Sequence, residues 1–111
     1  MTVTELEGPT TAVALVGRLD AAGADAISLR FTAAVASGAR PAVVDLSGVS
    51  FIASMGMRLL VSAARALHQK GHRLVAYGAG DAVAGALTDA ALDQIIPLAA
   101  SRDEALAALA G

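Results

Sequence analysis

The stretch VVDLSGVSFIASMGMRLL, residues 43–60, passes from an apolar run through a short polar hinge into a helical pattern, with Ser54 at the junction. Val43, Val44 and Leu46 form the nearly continuous apolar run of a central strand covered on at least one face. From Ser54 the spacing changes. Met57, Leu60, Val61, Ala64 and Leu67 recur at intervals of three and four, and Arg58, Arg65 and Gln69 fall on the other side, which predicts an amphipathic helix ending at Gly71. A strand delivered into a helix N-terminus is the repeating unit of α/β folds.

The same alternation extends outward in both directions. Upstream, residues 2–6 alternate and residues 11–16 form a short apolar run bounded by Gly8-Pro9 and Gly17, so the two segments read as a hairpin. Asp20 then precedes residues 21–38, where Ile27, Phe31, Ala34 and Val35 recur at helical spacing; Asp20 is a candidate cap and Gly38 a stop. Downstream, residues 73–77 predict a strand, residues 81–92 a helix, and Ile95, Ile96 and Leu98 a last short strand whose Pro97 suits an edge or an end. Ser101 with Glu104 three residues on has capping-box spacing for a final helix. The predicted order is ββαβαβαβα, an α/β fold with a mixed sheet of about five strands and four helices. Its opening hairpin is antiparallel and its later part parallel, with successive helices on one face unless the strand order reverses.

At 111 residues the chain suits one domain spanning residues 1–111. Hydrophobic residues make up 56% and charged residues 16%, which excludes disorder. The mean hydropathy of +0.64 raises the question of a membrane. The longest stretch without a charge, residues 46–57, is interrupted by serines and glycines and is shorter than the roughly 18–20 residues a span needs, so no membrane insertion is expected. The start, MTVTELEG, lacks the basic and apolar regions of a secretory signal, which points to the cytoplasm. With no cysteine there are no disulfides, thiolate chemistry or cysteine-bound metals. A net charge of −2 and three aromatic residues provide neither the basic footprint nor the stacking surface of a nucleic-acid binder.

Catalytic patterns are missing. His68 and His72 stand four apart, but Gly71 intervenes and no third ligand is close in sequence, so no metal is expected. YGAGDAVAG, residues 77–85, resembles a dinucleotide loop but has Val83 where the third glycine is needed, and Gly78 and Gly80 read as turn residues. G-x-S-x-G is absent around Ser54, and the aspartates are scattered. What remains is Ser54 itself. Its hydroxyl is expected to cap the helix, and the amide-rich, positively polarised helix end would also receive a phosphate placed on it. Arg58, four residues on, is close enough to lean towards that charge, and Met55 is exposed by the helical count.

The stretch 43–60 resembles the signature of STAS domains, the fold of bacterial anti-sigma factor antagonists and of sulphate-transporter tails. GRLDAAGA at 17–24, GHRLVAYGAGDAVAGAL at 71–87 and LDQIIPLAASRDEALAAL at 92–109 are similar to other segments of that family, so the likeness covers nearly the whole chain. The resemblance implies a small mixed sheet with helices mainly on one side, no cofactor and no catalysis. It further implies capture of an anti-sigma factor that is also a serine kinase of the GHKL type, release of a sigma factor for transcription, and dissociation when the kinase modifies the junction serine. By position Ser54 matches that serine and Asp20 an acidic residue of the binding surface, so the expected docking residues are Asp20, Ala53, Ser54, Met55, Gly56 and Arg58. Members modified in this way read D-S-[ST]-G, and this chain reads A-S-M-G at 53–56. An alternative is a STAS accessory subunit of a lipid-trafficking ABC transporter that clamps its ATPase without modification, which the more apolar Ala53 and Met55 suit. A transporter tail is not expected from the length. A sensory domain with an apolar ligand pocket is a third reading.

Overall fold

The computed structural model describes residues 1–6, 10–35 and 40–110; the turn expected at Gly8-Pro9 and the helix stop expected at Gly38 lie outside them. The strands are β1 (Thr2–Leu6), β2 (Thr10–Leu19), β3 (Ala42–Ile52), β4 (Leu74–Tyr77) and β5 (Leu98–Ala99). The helices are α1 (Ala21–Val35), α2 (Ser54–Gln69), α3 (Asp81–Asp89) and α4 (Arg102–Ala110), and a short 3-10 turn, Leu92–Gln94, lies between α3 and β5. The order ββαβαβαβα is the one the periodicity predicts.

The sheet runs β1-β2-β3-β4-β5, with β1 antiparallel to β2 and every later pairing parallel. Because the strand order never reverses, right-handed crossovers keep α1, α2 and α3 on one face. There Phe31 and Val35 of α1, Leu60 and Leu67 of α2, and Val83 and Leu87 of α3 join Val13, Leu15, Val44 and Leu46 in the main core. The alternate residues of β3 and β4, Val43 and Val75, point the other way, pair in register, and meet Ala105 of α4 in a second, smaller core. Cover on both faces explains why β3 reads as a continuous apolar run.

Several boundaries differ from the periodicity. β2 does not stop at Gly17: it passes through that glycine (φ +94°) with register shifts on either side and reaches Leu19. β3 likewise absorbs the supposed polar hinge. Ser47, Gly48 and Ser50 are exposed members of an eleven-residue strand, and its pairing with β2 makes the polar stretch extended rather than a loop. At the far end, α3 stops at Asp89 rather than at residue 92. Ala91 turns into the left-handed region (φ 60°), and Ile95 and Ile96 donate their amides to the Leu92 carbonyl, so neither isoleucine joins the last strand. Only Leu98–Ala99 pairs, at the sheet edge, and the carbonyl of Pro97 accepts from Ala76. Gly78 supplies a turn conformation (φ +75°), whereas Gly80 has an ordinary φ of −68° and is the N-cap of α3. At α4 the capping box forms one residue out of frame. Ser101 Oγ accepts from the Glu104 amide (3.3 Å), and the Glu104 carboxylate accepts from Ala100 rather than from Ser101 (3.0 Å).

Candidate functional site

The C-terminal tips of β2 and β3 lie side by side, with Leu19 paired to Ile52 and the Ala53 amide donating to the Leu19 carbonyl at 3.0 Å. Each tip opens directly into a helix, so the N-termini of α1 and α2 emerge together. The two starts are built differently. Asp20 caps α1: its Oδ1 accepts from the Gly23 amide at 2.8 Å, and its carbonyl from the Ala24 amide at 2.9 Å. That amide bond, and secondarily the Arg18 guanidinium 3.5 Å away, hold the Asp20 carboxyl below its ordinary value of 3.8.

Ser54, by contrast, does not cap α2. The N-cap is Ala53, whose backbone is extended (φ −120°, ψ −179°) and whose methyl group accepts no bond; Ser54 is the first helical residue. The cap expected at Ser54 is displaced because β3 continues to Ile52 and leaves a single residue for the half-turn. The consequence is chemical: the first amides of α2 have no side-chain acceptor from their cap, and the Ser54 hydroxyl lies exposed beside them.

Gly56 explains how the helix comes so close. It is buried, and a Cβ there would stand 2.7 Å from the Leu19 carbonyl oxygen, 2.9 Å from Leu19 Cβ and 3.0 Å from Ile52 Cγ1. Gly23 plays the same part for α1, where a Cβ would run into the Arg18 carbonyl. With these two glycines turned inward, Ser54, Met55 and Arg58 face outward, Met55 at 46% exposure. Ala53 is half-buried between them. Asp20 is thus brought to the same end of the sheet as residues 53–58, and Gly56 lies buried beneath the exposed Ser54, Met55 and Arg58.

The periodicity did not single out Arg18, Phe51, Asp25 or Ser28. Arg18 and Phe51 are register partners across β2 and β3, and the guanidinium carbon lies 4.3 Å from the ring centroid, a cation–π contact at the margin of the site. The alternation of β3 held a signal for this, since a buried Ile52 turns Phe51 outward. Asp25 and Ser28 of α1 face Met55, Arg58, Leu59 and Ser62 of α2 across a shallow depression of about 160 Å³. The arrangement offers an exposed nucleophilic hydroxyl, uncapped helix amides and a mixed apolar and charged rim. Among the described residues there is no group of three metal-ligating side chains, and no helix long and apolar enough to cross a membrane.

A family model described as "Mlab, STAS domain" matches residues 2–98. The chain belongs to the STAS domain family. Several solved structures similar to this chain are described as anti-sigma factor antagonists. One from Mycobacterium paratuberculosis is 28% identical with a TM-score of 0.87, covering 99% of this chain and 92% of that one. A STAS domain protein from Planctomyces limnophilus, also an anti-sigma-factor antagonist, is 23% identical with a TM-score of 0.86, covering 99% and 97%. The Bacillus cell fate determinant SpoIIAA in its phosphorylated form is 20% identical with a TM-score of 0.70, covering 95% of each chain. The last two show the shared fold alone. Among curated proteins none matches the sequence.

The Asp20 cap carries a pH signature specific to this STAS surface. A carboxyl held below its unfolded value contributes stability that is fully present above about pH 3.8 and is lost as pH falls through the lower, folded value. Asp20→Asn keeps a capping oxygen without the titration. Thermal melts between pH 2 and 6 are therefore expected to show a smaller acid-side loss for this variant than for the parent; parallel curves would contradict the assignment.

Proposed function

We propose that residues 1–111 act as a single STAS domain that binds, in the cytoplasm, an anti-sigma factor with serine kinase activity, and that phosphorylation of Ser54 releases it. The supporting observation is the exposed Ser54 hydroxyl on an α2 start whose own cap is an alanine. Likeness to the Mycobacterium antagonist supports the same reading. In this reading the chain provides no catalyst, only the acceptor oxygen; the kinase supplies ATP and the base. Asp20, Ala53, Ser54, Met55 and Arg58 form the contact face, with Gly56 holding α2 close beneath it.

The switch works by differential affinity. A phosphate adds roughly −1.5 to −2 charges to a face that in the unmodified complex is covered by the partner. Arg58 lies one turn along α2, and no ion pair reaches it among the described residues. The uncapped α2 amides and Arg58 can hold the phosphate within this chain, while the partner's surface is left to lose its contacts.

The test combines the chain with the kinase-type anti-sigma factor encoded in the same genome. A complex with the unmodified chain, and a one-phosphoryl mass gain on Ser54 in the presence of ATP, are the expected results. Ser54→Glu should weaken the complex by about tenfold or more, equivalent to ~1.4 kcal/mol, while Ser54→Ala should bind and resist modification. Absence of both complex and mass gain rejects the reading.

One feature favours a second reading. Phe51 (39% exposed) and Met55 make the rim of the site apolar, which suits lasting attachment to the ATPase subunit of a lipid-trafficking transporter. In that case co-purification with the ATPase survives both Ser54 substitutions.

A further inference from the structure

The sheet ends in two unlike edges. β5 is two residues long, follows Pro97 and is contacted by α4, so it offers almost no free ladder. β1 closes the other side with five residues, and among the described residues no strand pairs with its outer side. Its register with β2 is unbroken from Thr2↔Ala14 to Leu6↔Thr10, whereas the register of β2 and β3 shifts twice. β1 therefore has no bulge, and its sequence TVTEL has no proline and no lysine, the devices that blunt an exposed edge. A row of backbone N–H and C=O groups is left on its outer side, and the chemistry that matches such a row is another extended strand.

The side chains of β1 fit the same partner. Val3 stands opposite Val13, which is 1% exposed in the main core, so both point to the helix face. Val3 is nevertheless 46% exposed, because the floor of that core ends at β1. Thr2 and Thr4 alternate to the other face and are exposed. All three are β-branched residues suited to a pleated surface.

We infer that the outer edge of β1 pairs antiparallel with β1 of a second copy of this chain, joining two five-stranded sheets about a two-fold axis. Two identical strands paired in this way form an isologous contact. The axis is normal to the sheet, so both helix layers stay on one side and helix-face residues meet helix-face residues. Centring the pair on Val3 sets Val3 opposite its own equivalent and Thr2 opposite the second copy's Thr4: apolar against apolar on one face, hydroxyl against hydroxyl on the other. Centring it on Thr4 sets Val3 opposite Glu5 and Thr2 opposite Leu6, which matches unlike groups on both faces.

The Val3-centred register also extends the core. Met1, already packed against the main core, brings the ladder to five residues by standing opposite Glu5 at each end, where water reaches the charge. The exposed valine is covered by its equivalent at the centre, so the apolar floor continues from one copy into the next. In the joined sheet the two β2 strands run in opposite directions, and the two Ser54 surfaces therefore lie at its opposite ends. The pairing does not depend on partner switching and leaves both of those surfaces open.

The chain contains no cysteine, so a single Val3→Cys substitution reads the register directly. Opposed residues of an antiparallel pair have Cα atoms about 4.5–5.5 Å apart, within the roughly 4.4–6.8 Å that a disulfide spans. Under mild oxidation this variant should become a cross-linked dimer at least tenfold faster than Leu29→Cys, which occupies a more exposed position on α1 (86%). Equilibrium sedimentation of the unsubstituted chain should show a dimer that dissociates on dilution, as an interface of one short ladder implies. Val3→Lys, which sets two ammonium groups face to face, should raise the dissociation constant at least tenfold with the circular dichroism spectrum unchanged. Faster cross-linking of Thr4→Cys would overturn the register, and faster cross-linking of Leu29→Cys the choice of surface. A chain that stays monomeric at every concentration, with Val3→Cys no faster than Leu29→Cys, would overturn the assignment and leave this edge to a strand of another protein.

Discussion

Phe31→Ala should be the most damaging single truncation, costing about 3–5 kcal/mol. Phe31 is the largest fully buried side chain, 0% exposed, and it is the aromatic residue by which α1 fills the space above β2 and beside α2. Its removal forfeits both the transfer energy of the ring and the contacts of its neighbours, because a close-packed core collapses only partly around a hole. Against a total stability of about 5–15 kcal/mol for a domain of this size, that loss takes a large share. The melting temperature should drop by roughly 12–20 °C. Phe31→Leu, which keeps most of the volume, should lose less than half as much. Thermal denaturation followed by circular dichroism checks both, and a fall of only a few degrees for Phe31→Ala would mean that α1 is not held by this ring.

Gly56→Ala should cost about 1–3 kcal/mol even though alanine is the better helix former by about 1 kcal/mol. The added methyl group meets the Leu19 carbonyl oxygen at 2.7 Å, and that oxygen cannot rotate away as a flexible side chain would. It also accepts the Ala53 amide that ties α2 to the tip of β2. The helix start must therefore shift outward, so the variant should weaken stability and also the partner capture proposed above. A Gly85→Ala control isolates the cause. Gly85 lies in α3 with open space around it, so there the same substitution should raise the melting temperature slightly. If Gly56→Ala is also neutral or stabilising, the close approach of α2 to the strand tips is wrong.

The contrast between those two glycines shows where sequence reading runs out. Both sit inside a helical pattern, and periodicity alone does not tell which of them has a strand tip against it. The difference arises because residue 56 lands over Leu19, thirty-seven positions earlier in the chain. Ser54 is a similar case. A serine before an amphipathic run reads as a cap, but β3 stays paired to β2 as far as Ile52, and the cap passes to Ala53. Arg18 and Phe51 are likewise partners that only strand register brings together. Asp20 and Ser101, in contrast, were legible as caps because each bonds an amide three residues away.

The order of strands and helices, the inward face of α2 and the caps of α1 and α4 follow from the amino-acid sequence alone, since they rest on periodicity and on hydrogen bonds that span a single turn. The tertiary structure alone decided how far β2 and β3 extend, which residue caps α2, and why residue 56 has no side chain. Those outcomes depend on pairings and crossovers between distant segments, whose energies no local window contains.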